Sequence, residues 1–226
     1  PEKYRGNIFV GEVAGNLATN THFGDFLKKK SPMKDQAATF KAIADPKQLM
    51  QQVFSHVQSY YSWNGDFSYL ADEAPDEVYK SKKGNSAAIN LSLVSLLREV
   101  GLDANPVVLS TRNNGRILPG QCSANLLDHT IAVAKIDTTL YYMDASDAFS
   151  SVNLLPPQNC NGTAIIVRKE TYQAVELKQN QINGIHSHLN LTLDASGNVQ
   201  GDGDLTLNDY GAWAKRWEIA RAGSEK

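Results

Sequence analysis

A nearly continuous apolar stretch between residues 86 and 100 constrains the fold of this chain more than any other feature. Its apolar positions are Ile89, Leu91, Leu93, Val94, Leu96, Leu97 and Val100. They fall on almost every side of a helix, and such a helix is buried rather than placed at a surface. Asn85 and Ser86 precede the stretch and Gly101 follows it, which is typical of a helix start and a left-handed helix end. The sequence therefore predicts a central buried helix.

Two more helices are indicated. Asp45 suits the N-cap position and Pro46 the first helical position, where its missing N–H costs nothing. Apolar residues at helical spacing follow this start, namely Leu49, Met50, Val53, Phe54, Val57, Tyr60 and Tyr61. Near the end of the sequence, residues 211–222 carry Trp213 and Trp217 four positions apart, so that they share one helix face. We expect an amphipathic helix after Asp45 and a terminal helix over 211–222.

Short β-rich runs lie between and after these helices. They occupy residues 106–109, 130–134, 140–143 and 163–167, with a hairpin turn at 137–139. A second hairpin is predicted from the alternation of Leu189, Leu191 and Leu193, a turn at 196–198 and a returning strand over 199–207. The predicted fold class is α+β: the buried helix packs on an antiparallel sheet, and a β hairpin and a terminal helix follow.

Composition narrows the possible partners. The 226 residues include 42% hydrophobic residues, enough for a real core. Lys and Arg number 22 against 24 Asp and Glu, and the net charge of −2 disfavours nucleic acid and anionic lipid as partners. No apolar run approaches the roughly 18 residues of a membrane span. We expect no cofactor and no metal, because His186 and His188 lack a nearby third ligand and residues 198–209 fit a calcium loop poorly.

Three stretches carry a resemblance to a known family. GNSAAINL at 84–91, continued by LLREVGL at 96–102, resembles the active-site helix of the transglutaminase-like superfamily. DHTIAV at 128–133 looks like the family strand that bears a histidine, and YYMDA at 141–145 looks like the strand that bears an aspartate. The resemblance covers residues 46–170 and implies a papain- or transglutaminase-like core. It places the catalytic triad at Ser86, His129 and Asp144.

The triad position of Ser86 departs from the family pattern, which has cysteine there. A thiol at a helix N-terminus beside an imidazole ionises readily, and an aspartate orients that imidazole. A hydroxyl is far less acidic and needs a stronger positioned base. Either Ser86 or Asn85 is also interpretable as the helix N-cap. His129 is also interpretable as a packed, hydrogen-bonded residue, and Asp144 as a strand cap or the residue that holds the turn after its strand.

The resemblance also implies a biological setting. Residues 154–167 and the hairpin after them look like a junction in an exported bacterial branch, where β-rich domains flank the core. The first 45 residues show no sustained periodicity, which indicates an N-terminal connector at 1–45. The resemblance implies the core at 46–170 and the start of a C-terminal β-rich module at 171–226, in the periplasm or otherwise outside the cytoplasm. Cys122 and Cys160 permit one disulfide, and their pairing stays open.

The functional hypothesis is a non-catalytic transglutaminase-like domain. It would bind a peptide, glycan or protein ligand in the cleft near Ser86, as one part of a longer chain. The alternatives are an acyl-transfer or peptide-hydrolysing enzyme that uses Ser86, His129 and Asp144 as a triad, and a Cys-to-Ser form of an active enzyme.

Overall fold

The computed structural model describes residues 10–117, 124–179, 181 and 183–223. The chain divides into two compact units, Pro1–Gln179 and Asn180–Lys226. The first unit includes both the segment expected to be a connector and the expected core. The proposed domain boundaries at 45 and 170 stay predictions.

The fold is α+β, as the sequence predicts. The helices are α1 (Val10–Thr19), α2 (Gly24–Lys28), α3 (Lys34–Phe40), α4 (Pro46–Tyr60), α5 (Pro75–Ser81), α6 (Ser86–Glu99) and α7 (Asp209–Ala222). The strands are β1 (Ser62–Trp63), β2 (Lys83–Gly84), β3 (Asp103–Leu109), β4 (His129–Ile136), β5 (Thr139–Met143), β6 (Gly162–Val167), β7 (Tyr172–Leu177), β8 (Ile185–Leu193) and β9 (Val199–Leu207). None of the helices among the described residues combines the length and apolar character of a bilayer span.

Helix α6 is the buried centre of the first unit. It packs against β3, β4 and α4, and its residues from Ser86 to Val94 are all buried. The side chain of Asn85 caps the helix by accepting a hydrogen bond from the Ala88 N–H at 2.8 Å. Gly101 follows the helix with φ +90, a conformation that favours glycine. The predicted central helix and both of its end signals are confirmed.

The main sheet is antiparallel and has the strand order β5-β4-β3-β6-β7. Alternate side chains of its inner strands enter two different cores. Val108, Ala132 and Ile165 belong to the core that contains α6, whereas Val107 and Ile131 belong to a second core on the other side. Because both faces of β3 and β4 are covered, residues 107–109 and 131–134 are continuous apolar runs without alternation.

The N-terminal segment is more structured than its sequence indicates. Helices α1 to α3 and the residues that precede α2 and α3 contribute Val13, Leu17, Phe23, Phe26 and Met33 to the core that contains α6. Helices α2 and α3 have 5 and 7 residues, which is too short for an apolar period to be visible. Packing against the rest of the unit, rather than their own periodicity, therefore accounts for these helices.

The sequence pattern also does not predict α5 or β7. Helix α5 buries Pro75 and Val78 within a stretch that is otherwise polar. Strand β7 lies at the sheet edge with most of its side chains exposed, so it has little apolar pattern. Both elements are stabilised by packing against neighbouring elements, and their local sequences predict them only weakly.

The second unit contains the predicted hairpin and terminal helix. Strands β8 and β9 pair antiparallel from Ile185↔Leu207 to Leu193↔Val199, so the predicted hairpin is confirmed. One hairpin face carries exposed apolar side chains, with Leu193 71% and Ile185 68% accessible. Helix α7 begins at Asp209, two residues before the predicted start.

We expect Leu96→Ala to lower the free energy of unfolding by about 2–5 kcal/mol, because Leu96 is fully buried in α6 and the change leaves a cavity. The matched change Leu193→Ala, at an exposed position, should cost less than about 0.5 kcal/mol. Chemical denaturation measures both values. A loss at Leu96 as small as that at Leu193 would contradict the central position of α6.

Candidate functional site

Two of the predicted site residues form a buried pair. His129 is the first residue of β4, and Asp144 directly follows β5. These strands are antiparallel neighbours, so the start of one lies beside the end of the other. The His129 Nε2 and Asp144 Oδ2 atoms are 2.8 Å apart, with the two side chains 0% and 1% exposed. The two side chains are therefore within hydrogen-bond distance of each other.

The Asp144 carboxylate is surrounded by donors. Oδ1 accepts hydrogen bonds from Asn90 Nδ2 at 2.9 Å and from the Ser146 N–H at 3.0 Å, and the Ser146 hydroxyl also donates to it. Oδ2 accepts a further bond from Asn159 Nδ2 at 2.7 Å. Burial by itself raises the pKa of Asp144, but the charge of His129 and the bonds from His129, Ser146 and Asn90 outweigh it and lower the pKa well below its usual range. The carboxylate is therefore ionised at neutral pH.

Asn90 joins this pair to the central helix. Its Nδ2 donates to Asp144 Oδ1 and, at 3.1 Å, to the carbonyl oxygen of Ser86 one turn earlier in α6. Its Oδ1 accepts the Ala145 N–H at 2.8 Å. Asn90 is 0% exposed, so all of these bonds lie away from water. The side chain fixes the turn after β5 against α6.

The Ser86 hydroxyl is hydrogen-bonded to the backbone of Ser68. Its Oγ accepts the Ser68 N–H at 3.0 Å and donates to the Ser68 carbonyl oxygen at 3.1 Å. The residue is 0% exposed. Within the described part of the chain, His129 Nδ1 is buried without a hydrogen-bond partner. The imidazole therefore does not accept the Ser86 proton in this arrangement.

Residues 66–70, which we call the covering segment, close the site. Asp66 and Leu70 offer carbonyl oxygens to the Ser86 N–H at 3.1 Å and to Asn85 Nδ2 at 2.8 Å. The Phe67 ring lies edge-on to the His129 ring, with 5.1 Å between centroids. Phe67 remains 40% exposed on its outer side. A ligand that touches the covering segment from solvent thus meets Phe67 before it meets His129.

A second aromatic side chain, that of Trp63, packs against the covering segment. The Trp63 ring lies 4.7 Å from the Phe67 ring, measured between centroids, and Trp63 Nε1 donates to the Asp66 carbonyl oxygen at 2.9 Å. Trp63 is half-buried. The two rings form a partly exposed aromatic patch, in which Phe67 contacts the buried His129 ring.

The three predicted site residues therefore meet in one region, although only His129 and Asp144 touch directly. Asn85, rather than Ser86, is the helix N-cap, and Ser86 is the first helical residue. A catalytic role for the triad positions stays a prediction. The cleft expected beside Ser86 is filled by the covering segment. A ligand that approaches this site from solvent therefore contacts the covering segment first.

Sequence reasoning missed the residues that complete the site. Asn90 has a signal in hindsight, because it is an amide within an otherwise apolar helix, and a buried amide needs partners. Asn159 and Ser68 come from distant irregular segments and have no local signal. Their role depends on tertiary contact alone.

The metal and cysteine predictions both stay predictions. Among the described side chains, no group of three or more His, Cys, Asp or Glu could hold a metal ion. Cys122 lies outside the described residues, and Cys160 is 7% exposed. The pairing of the two cysteines stays open.

Comparison with known proteins supports the fold alone. No protein-family model matches the sequence, and no curated protein matches it. The chain is similar in structure to a Parabacteroides distasonis protein described as a putative protease, with a TM-score of 0.53 and 15% identity. The similarity covers 79% of this chain and 32% of that one, so this chain spans about a third of the length of the protein it matches.

We expect Asp144→Asn to lower the free energy of unfolding at pH 7 by about 3–5 kcal/mol, because the change removes one partner of a buried pair. The pKa of Asp144 is lowered by folding, so the ionised carboxylate stabilises the fold above its unfolded-state pKa of about 4, and this contribution is lost as the pH falls below that value. The difference between the two proteins should be constant from about pH 7 to 5 and shrink below about pH 4.

The control for this experiment is Asp204→Asn in β9, where the carboxylate is exposed. It should change stability by less than about 0.5 kcal/mol at every pH. Urea denaturation over the pH series measures all three proteins. A difference for Asp144→Asn that stays constant down to pH 3 would contradict the ionised pair.

Proposed function

We propose that this chain is a transglutaminase-like domain that binds a ligand and does not catalyse acyl transfer or peptide hydrolysis. The observation that carries the proposal is the bonding of the Ser86 hydroxyl, which both donates to and accepts from the backbone of Ser68. A nucleophilic hydroxyl has to give its proton to a base as it attacks. Here the proton is directed at a carbonyl oxygen, while His129 Nδ1 receives no bond from any described residue.

The proposed membership of the transglutaminase-like superfamily is supported by several features together. The motif around Ser86 opens a buried helix, and His129 and Asp144 follow on adjacent strands in the order of the family. The similarity to the Parabacteroides distasonis protein agrees with a peptidase-like fold. The export of the protein, its periplasmic location and flanking domains in a longer chain are proposed from the family resemblance.

The proposed ligand is a peptide, glycan or protein segment that contacts the covering segment. Trp63 and Phe67 present partly exposed rings there, and aromatic side chains supply large contact areas at binding surfaces. Asp66 carries an exposed carboxylate beside these rings. An uncharged or basic ligand with an apolar or ring-shaped surface suits this combination.

The first experiment tests the absence of catalysis. Unmodified protein and Ser86→Ala are incubated with a broad panel of peptides, with and without an amine acceptor. Both proteins should give the same background rate of hydrolysis and amine transfer. Turnover that disappears in Ser86→Ala would overturn the proposal and establish a Ser-His-Asp enzyme.

The second experiment tests binding at the covering segment. Peptide and glycan arrays are probed with unmodified protein, Phe67→Ala and Ser86→Ala. We expect ligands that bind the unmodified protein and Ser86→Ala equally and lose at least about tenfold in affinity with Phe67→Ala, since an aromatic side chain near the centre of an interface often contributes 2 kcal/mol or more. Binding that Phe67→Ala leaves unchanged would place the ligand surface elsewhere.

A second candidate, a site that lost its cysteine, is favoured by one observation. Asp144 holds His129 Nε2, which leaves Nδ1 as the ring nitrogen that a thiol at position 86 could use. Under that candidate, Ser86→Cys gains peptide turnover and reacts fast with iodoacetamide, and His129→Ala removes both effects. Under the binding proposal, Ser86→Cys stays without turnover and its buried thiol reacts slowly.

A further inference from the structure

A pocket at the far end of α6 lies well away from the candidate site. Its volume is about 230 Å³, and it is lined by residues of α1, α2, β3 and β6 together with the last turn of α6. Arg98 in that last turn is twelve residues after Ser86, which is about 18 Å along a helix. The pocket is therefore separate from the His129–Asp144 pair and from the covering segment.

The walls of the pocket are apolar. Its apolar lining consists of Ala18, Phe23, Leu27, Pro106 and Val167. Gly24 allows the α1–α2 corner to close, because a Cβ there would collide with the carbonyl oxygen of Ala18. Packing of this corner against the sheet shapes the pocket. Such walls suit a short aliphatic group, and the volume is below the about 300 Å³ at which drug-sized ligands begin to fit.

The rim of the pocket is cationic. Lys28, Arg98, Arg168 and Lys169 all border it. Lys28 is paired with Asp25 at 2.8 Å, whereas the other three have no ion pair within the described part of the chain. Arg98 is fixed in place by hydrogen bonds to the Ala104 carbonyl oxygen at 2.7 Å and to Asn105 Oδ1 at 3.1 Å. Arg98 is influenced by the nearby charge of Asp103, which acts on it without a direct ion pair. Three positively charged side chains without a direct ion pair therefore border an apolar pocket.

We propose that this pocket binds a small aliphatic carboxylate, with the chain in the pocket and the carboxylate at the rim near Arg98, Arg168 and Lys169. Arg presents a planar set of donors that suits a carboxylate, and Lys169 adds a further positive charge. A neutral ligand of the same shape forms no ion pair with these three side chains. A cationic ligand is repelled by them. The combination of walls and rim thus selects for charge as well as for shape.

Binding of matched six-carbon ligands to the intact chain tests the proposal. Hexanoate, 1-hexanol and hexylamine are titrated by calorimetry and by NMR of the methyl groups of Leu27 and Val167. Hexanoate should bind saturably and shift both methyl signals, and the alcohol and the amine should bind at least about tenfold more weakly. Absence of saturable hexanoate binding, or equal binding of hexanol, would overturn the proposal.

Two kinds of variant measure separately how the charged rim and the apolar walls contribute to hexanoate binding. Arg168→Gln with Lys169→Gln should weaken hexanoate binding at least about tenfold, whereas Lys41→Gln with Lys135→Gln removes the same charge elsewhere and should leave it unchanged. Ala18→Phe fills the pocket and should abolish binding. Thermal melts confirm that each variant is folded. Equal losses of hexanoate affinity in the two double variants would mean that only the overall charge of the protein matters. That result would overturn the proposed site.

One further titration distinguishes two natural sources of the carboxylate, a peptide C-terminus and a free short-chain acid. N-acetylleucine carries a carboxylate beside a branched apolar side chain, as the last residue of a peptide does. Tighter binding of N-acetylleucine than of hexanoate would support the carboxylate chemistry and assign it to a peptide C-terminus. Tighter binding of hexanoate would support it and assign it to a free short-chain acid.

Discussion

The buried carboxylate of Asp144 ties together parts of the chain that are far apart in sequence. It accepts hydrogen bonds from Asn90 in α6, His129 in β4 and Asn159 in the segment before β6. A buried charge is tolerated only when its bonds are satisfied, so each of these elements has to take up one particular position. The arrangement of helix, sheet and turn around Asp144 follows from this requirement.

The covering segment adds a second constraint on what the site can do. Its backbone satisfies the Ser86 hydroxyl and the Ser86 N–H, so the start of α6 needs no solvent and no ligand. This end of the molecule thus holds an internal polar network beneath partly exposed aromatic side chains. Under the proposed binding function, the ligand contacts the exposed side of Phe67 and Trp63 rather than the buried pair.

The elements that sequence predicted well have strong local signals. Asp45 and Pro46 start α4 with the Asp45 carboxylate accepting bonds from the Lys47 and Gln48 N–H groups, as an N-cap does. The hairpin turn after β4 contains Asp137 at φ 55, a conformation that Asp tolerates. In contrast, α2, α3, α5 and β7 are short or edge elements that tertiary packing stabilises. Their local sequences have too few residues to show a period.

The same division holds for the two sites. The amino-acid sequence by itself determined the buried helix α6, the order of Ser86, His129 and Asp144, and the strands that carry the last two, because caps and apolar patterns act within a few residues. Only the tertiary structure decided that Ser68 would hold the Ser86 hydroxyl, that Asn90 and Asn159 would complete the Asp144 network, and that Arg98 would meet Arg168 and Lys169 at an apolar pocket. These contacts join residues that are distant along the chain, and such contacts form only when the packing of the core brings their elements together.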